Sequence, residues 1–284
     1  MKHLRKHLRT FVSHVSSLHA SVFKVACVTH EQMVDGFVVA DELDRGGFGV
    51  IYSAYSASGW RGVAKRVSTP KAYYEELSVL RQLPMSPSLC ALVHANDIDY
   101  LLFFNHGGDN FFTLVEHGRQ LPTCAWTQLF TALELLHDHD IAHRDLKLEN
   151  LMWNGWTAML IDFGLAKVGG SHLCHAKCGT RSYCPPEVLC GKPYNGTKAD
   201  LWSMGICLFA YCCGFFPFRE AAQTDWRWEK LSNGVSVNRV LDLYENPTVR
   251  LPSELVVWRH TIDGMLMRDA NCRCIQACLV HAQG

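Results

Sequence analysis

The sequence has no surplus of either charge: 27 basic side chains balance 27 acidic ones, for a formal net charge of zero. That removes any global electrostatic reason to expect nucleic acid as a specific partner. Long hydrophobic runs are missing as well. The strongest candidate, Leu201 to Cys213, is well short of the ~20 residues a spanning helix needs, so it reads as a buried core helix and no transmembrane segment is expected. Internal repeats and low-complexity linkers are absent, and with 48% hydrophobic residues the composition is not that of a disordered chain. The 13 cysteines lack the close, regular spacing of a small disulfide scaffold. With no secretory signal evident, they read as reduced thiols of an intracellular protein, in cytoplasm or nucleus.

Acidic residues are missing from the N-terminal stretch, where none precedes Glu31. Lys2, Arg5, Lys6, Arg9 and Lys24 lie there instead, and Leu8, Phe11, Val15, Leu18 and Val22 alternate three and four apart. That spacing makes one apolar stripe on a helix. Residues 1–34 therefore read as a basic amphipathic extension. A helix packed on the domain surface, a basic nuclear or membrane-surface signal and a transit peptide all fit it. The oligomeric state leaves no mark in the sequence.

What is present is a change of character along the chain. The 284 residues can bury a substantial core as one large domain or two lobes. "FVVADEL" and "VIYSAY" read as strands around a glycine-rich turn, and "GVAKRV" follows the turn signal at Ser58-Gly59. "AYYEELSVLRQL" places Leu77, Leu80 and Leu83 on one side of a helix, and "IDYLLFF" with "FFTLVE" reads as a hairpin across "NHGGDN". After Pro122 the pattern becomes helical, with Leu129, Leu133 and Leu136 sharing a face. A small sheet-rich half followed by a larger helical half is an α+β arrangement with a cleft between.

The polar decapeptide "IAHRDLKLEN" directly follows a predicted helix. His143-Arg144-Asp145, with Asn150 five residues after the aspartate, matches H-R-D-x-x-x-x-N at every fixed position. Asp162-Phe163-Gly164 ends the apolar run "AMLI" twelve residues after Asn150. Upstream, "DRGGFGVIY" sets Gly46, Gly47 and Gly49 between strands, where backbone N–H groups can meet an anion, and Lys65 is on the next strand. Singly, a glycine turn or a strand lysine has an ordinary structural explanation. Together and in this order the segments resemble the eukaryotic-type serine/threonine protein kinases. "GTRSYCPPEVL" is similar to the end of that family's activation segment, and "DLWSMGICLF" to its central buried helix. "FPF" and "MLMRDANCRC" follow in order, with Arg273 placed to pair with Glu187.

The resemblance implies a bilobal kinase-like domain over residues 35–284, with an antiparallel-sheet N-lobe at about 35–116 and a helical C-lobe at about 119–284. It implies ATP and Mg²⁺ as cofactors and proteins with Ser/Thr acceptors as substrates. It also implies a role for each residue. Asp145 would orient or accept the acceptor hydroxyl's proton, and Lys147 would neutralise the γ-phosphate. Lys65 would grip the α/β-phosphates, fixed by Glu76, with Glu75 as the reserve. Asn150 and Asp162 would hold Mg²⁺, a hard cation that takes oxygen ligands. Gly46, Gly47, Phe48, Gly49 and Ile51 would cover the nucleotide. Val63 would face adenine, with Val115 as gate, Glu116 to Gly118 as the connection between lobes, and Met152 as floor. Lys147, together with Gly179-Thr180 before Tyr183, is similar to serine/threonine rather than tyrosine kinases.

The sequence departs from the family pattern in places. Asp44 stands where the first glycine of the nucleotide loop is usual, Val63 where a small alanine is usual, Leu148 for proline and Pro185 for alanine. Glu76 comes only eleven positions after Lys65, so the helix must be short or the loop before it clipped. Such compact kinases are similar to some virus-encoded ones, which would work in a host cell. Two other functions stay open: a pseudokinase-type binding module, for which Asp44 speaks, and a small-molecule kinase of related fold. "HLCHAKC" and "CRCIQAC" with His281 hold plausible zinc ligands, but neither has paired CxxC motifs at finger spacing. Ser171 is the only hydroxyl between Leu165 and Cys178, and it lies early in the segment, a poor position from which to reach Arg144. The expectation is a kinase active without phosphorylation of this segment.

Overall fold

The computed structural model describes residues 31–105, 108–231, 235–243 and 253–273. The basic N-terminal stripe lies outside the described residues. Six antiparallel strands form the first half: β1 (Gln32–Val34), β2 (Phe37–Gly46), β3 (Gly49–Ser56), β4 (Arg61–Val67), β5 (Leu92–Asn96) and β6 (Leu101–Asn105), in the order β1-β2-β3-β4-β6-β5. The sheet curls until its ends meet. Asp35, in the left-handed turn between β1 and β2, accepts from Asn96 Nδ2 at 2.8 Å and pairs with His94 Nε2 at 2.9 Å, both on β5. Val34, Val39, Ala54, Ala64, Leu101 and Phe103 fill the inside of the curl.

Side chains alternate across a strand, so β4 serves two cores. Ala64 opposes Phe103 in the enclosed core, whereas Val63 opposes Phe104 and Lys65 opposes Leu102 on the other face, toward the second half. A slip of one residue would bury Ala64 where the charge is needed. Helix α1 (Pro70–Leu80) follows β4 after Ser68 and Thr69 alone, so the loop is indeed clipped. The Thr69 side chain caps the helix by accepting from Ala72 N, and Pro70 takes the first helical position, where its missing N–H costs nothing. Tyr73, Glu76, Leu77, Val79 and Leu80 form its buried face; Leu83 lies beyond its end.

The expected hairpin does not form. "FFTLVE" is helix α2 (Phe111–Glu116), capped by the Asn110 side chain accepting from Thr113 N, and it buries Phe111 and Leu114 three apart. Asp109 and Asn110 (β7) pair with the second-half strand β8 (Leu151–Trp153). The first half therefore ends near Asn105, ten or so residues before the boundary expected at Glu116.

The second half is built on α3 (Thr123–Asp138) and α4 (Gly196–Cys213). Leu129, Leu133 and Leu136 of α3 are fully buried, as the sequence pattern indicated. Helix α4 is buried all round apart from Lys198 and Tyr211. A Cβ on Gly205 would come within 2.8 Å of the Met265 Cβ, so glycine allows α5 (Ser253–Met265) to close on it. No helix among the described residues is long and apolar enough to cross a membrane.

Candidate active site

Lys65 is 5% exposed, and its ammonium bridges the two halves. Nζ donates to Glu76 Oε1 and Oε2 at 2.7 and 2.8 Å and to Asp162 Oδ1 at 2.7 Å. The helix phase decides between the two glutamates: Glu76 is 2% exposed, whereas Glu75 is exposed near Lys71. Burial alone would depress the lysine, but the two carboxylates outweigh it and hold its pKa above the ordinary value. Burial likewise opposes ionisation of Asp162, yet the Lys65 charge prevails and its pKa is lowered; Glu76, more deeply enclosed, is raised by burial. One ammonium between two carboxylates leaves an excess negative charge, suited to a cation.

Asp145 sits in a second network. Its Oδ1 accepts from the Thr180 backbone N and from Thr180 Oγ1, both at 2.9 Å, and its Oδ2 from Lys147 Nζ at 2.9 Å. Desolvation works against the Lys147 ammonium, but Asp145 more than offsets it and the pKa is raised. Asn150 Nδ2 donates to the Asp145 carbonyl at 2.9 Å, which fixes the amide so that its oxygen is the group left for a ligand. Asp162 Oδ2 is likewise left over once Oδ1 has taken Lys65 and Gly164 N. Two oxygen donors fit Mg²⁺, which keeps several waters and phosphate oxygens. The fit is not zinc's: among the described residues no group of three His, Cys, Asp or Glu side chains stands close enough to hold a metal. Cys178 Sγ lies against the Tyr194 hydroxyl, and "CRCIQAC" with His281 falls mostly outside the described residues.

The scaffold under this loop is Asp200, near the start of α4. Its carboxylate accepts from His143 N at 2.8 Å and Arg144 N at 2.7 Å, and meets His137 Nε2 at 3.0 Å. That holds Arg144 in the left-handed region at φ 64°. Neither Thr180 nor Asp200 stood out as a site residue in the sequence, because their partners are 35 and 56 positions away. Arg273 donates to the two oxygens of Glu187 from Nη1 and Nη2, at 2.6 and 3.1 Å.

The glycine turn joins β2 to β3, with Gly46 opposite Gly49. Gly49 is required: at φ 150°, a Cβ would run into the Arg66 carbonyl. A Cβ on Gly46 or Gly47 would meet nothing within 4 Å, and Phe48 at the tip is 39% exposed. Ile51 opposes Lys65 across β3 and β4. Val63 is partly buried on the Lys65 face, and Met152 lies on β8 opposite Asn110. Val115, Glu116 and Gly118 are not where the sequence suggested. They lie in or after α2, and the strand beside Lys65 is β6, so Leu102 and Phe104 occupy the flank assigned to Val115. The helix wins because Asn110 caps it and Phe111 and Leu114 bury one face.

Asp44 is exposed, and its Oδ1 accepts from the adjacent Arg45 N at 2.8 Å. A solvated, locally engaged carboxylate is strongly screened. Asp44→Gly should therefore change the ATP dissociation constant by less than about threefold, a shift of the size exposed charges give. Titration calorimetry on both forms checks this; a tenfold tighter variant would show that the charge does oppose the phosphates.

The segment after Asp162 is held by its own backbone. Lys167–Val168 pairs with Ile141–Ala142, and Leu173–Cys174 pairs with Tyr194–Asn195. The Tyr194 hydroxyl donates to the Ala176 carbonyl at 2.9 Å, and Arg144 Nε donates to the Leu165 carbonyl at 2.7 Å. Ser171 N donates to Asp140 Oδ1, so a phosphate on that serine would face a carboxylate. Ser171→Ala, or phosphatase treatment confirmed by mass, should leave turnover within about twofold, the usual range for an exposed substitution. Loss of nearly all turnover in both preparations would contradict this.

Comparison with known proteins places these features in a lineage. The family model described as "Protein kinase domain" matches residues 37–282. "Probable serine/threonine-protein kinase 2" of Plasmodium falciparum is 34% identical over 84% of this chain and 48% of its own length. "Testis-specific serine/threonine-protein kinase 3" of the mouse is 30% identical over 71% of this chain and 82% of its own. "CBL-interacting protein kinase 28" of rice is 30% identical over 66% and 48%. The chain spans about half the length of several of the curated relatives it matches. With its model matched from the second strand onward, and an Asp145 loop and Lys65 bridge built as described, the chain belongs to the protein kinase domain family.

Proposed function

We propose that this chain transfers the γ-phosphate of ATP to serine and threonine hydroxyls of protein substrates. The observation that carries the reading is the Lys65 ammonium clamped by Glu76 and Asp162, which sets a phosphate-binding cation and a metal-binding carboxylate side by side. Phosphoryl transfer asks mainly for positioning and charge neutralisation. Lys65 would hold the α/β-phosphates beneath the turn of Gly46, Gly47, Phe48 and Gly49. Mg²⁺ on Asp162 and Asn150 would neutralise phosphate charge. Asp145 would orient the acceptor hydroxyl and take up its proton. Lys147, held against Asp145, would counter charge on the transferring group. Ile51, Val63 and Met152 would enclose adenine, with Leu102 and Phe104 added on the β6 side. A serine/threonine acceptor is supported by Lys147 and Thr180, both on Asp145, and by the names of two relatives.

The test is transfer of labelled γ-phosphate, with and without Mg²⁺, to matched peptides whose acceptor is serine, threonine or tyrosine. Incorporation into serine and threonine, dependent on the metal, is expected. ATP binding without transfer to any peptide or to a basic protein would favour a binding module instead. Transfer to tyrosine alone would refute the acceptor class.

A further inference from the structure

Beside the acceptor position the chain presents cations. Thr180 touches Asp145 through both its backbone N–H and its hydroxyl, so the residue that follows, Arg181, adjoins the place where a peptide would offer its hydroxyl. Arg181 opens a short 3₁₀ turn through Tyr183, and its side chain is 59% exposed. Nε and Nη2 donate to the two oxygens of Glu220, at 3.0 and 2.5 Å, which orients the guanidinium plane. Nη1 has no partner among the described residues. Glu220 is held below its ordinary range by Arg181 first, and by Arg219 and Lys177 as well. Of the three cations, Arg181 alone touches Glu220, and Arg219 and Lys177 act on it by charge at longer range. Lys177 is exposed, its Nζ reaching the Leu189 carbonyl, and the Arg219 side chain is exposed too. The other carboxylates of this region are engaged: Asp145 with Lys147 and Thr180, Glu149 with the Tyr183 hydroxyl, and buried Asp225 with the backbone N–H groups of Arg219, Glu220 and Arg227.

We infer that Arg181 is a specificity-determining residue that selects protein substrates with an acidic side chain, carboxylate or phosphate, close in sequence to the acceptor hydroxyl. The inference rests on the phosphotransferase reading above. Glu220 is then an internal competitor that holds the guanidinium flat and ready. An incoming acid accepts from Nη1 and is attracted by the exposed cations Arg219 and Lys177.

The experiment uses neutral peptides with one serine, in which Glu or Lys is walked through the flanking positions, and reads the Glu:Lys ratio of kcat/KM. At one position near the acceptor the ratio should exceed about five, the scale of a partly exposed charge pair. Arg181→Gln should bring that ratio to about one. Glu220→Gln should raise it, because the competing carboxylate is gone. Opposite shifts from the two halves of one ion pair are the signature. If the pair were only a strut, both variants would lower kcat/KM on every peptide alike and leave the ratio fixed. A ratio at or below one throughout, or one that Arg181→Gln does not move, overturns the inference while leaving phosphoryl transfer intact. Absence of transfer to any peptide, acidic ones included, overturns both.

Discussion

Asp145→Asn should lower kcat by about three orders of magnitude, within the range that positioned acid–base groups contribute. The variant is close to isosteric, and its remaining oxygen can still accept from the Thr180 N–H and hydroxyl that meet Oδ1. What is lost is the charge on Oδ2, which holds Lys147 Nζ at 2.9 Å, and with it the site for the acceptor's proton. The backbone of the loop is fixed by Asp200, not by Asp145, so the variant should melt within a few degrees of the parent. ATP affinity should be nearly unchanged, since Lys65, Glu76 and Asp162 are untouched. Steady-state kinetics at saturating Mg-ATP, beside thermal unfolding and nucleotide titration, checks all three. A variant within tenfold of the parent would remove Asp145 from the chemistry. A variant that fails to bind ATP would show that the loss is structural.

Much of this site was legible because the spacing that defines it is local. Asp145, Lys147 and Asn150 lie within one turn of chain, and Asp162 ends a short apolar strand, so fixed offsets carry the signal. Glu76 could be ranked above Glu75 from the residues after it, yet its contact with Lys65 depends on the helix phase that Thr69 and Pro70 set. "FFTLVE" went wrong for a physical reason: a six-residue segment with four apolar positions satisfies either period, and only the Asn110 cap breaks the tie. The errors at Val115, Glu116 and Gly118 all descend from that one. Leu102 and Phe104 could not be assigned without the register of β6 on β4. Asp44 shows the other limit. A carboxylate in a glycine position is visible in the sequence, but its engagement by the Arg45 N–H is a property of the backbone.

Lys65→Met should reduce turnover by about a hundred- to a thousandfold, the usual effect of removing one group that stabilises developing charge. It should also destabilise the fold, by about 3 kcal/mol, because removing one partner of a buried ion pair strands the others. Glu76 at 2% exposure has no other hydrogen-bond partner in the site, and Asp162 keeps only Gly164 N. Both carboxyls would then move toward protonation to escape the unpaired charge. The two effects separate in the double variant Lys65→Met with Glu76→Gln. Making the glutamate neutral removes the stranded charge, so most of the lost stability should return on chemical denaturation, while turnover should stay where Lys65→Met left it. If turnover returned with stability, the lysine's contribution would be to hold α1 against the second half, and the phosphate grip would have to be assigned elsewhere. If Lys65→Met left both stability and turnover unchanged, the clamp between Glu76 and Asp162 would carry neither structure nor chemistry. The expected pattern, stability restored and chemistry not, follows from an ammonium that three carboxylate oxygens hold in place for a ligand that brings more negative charge.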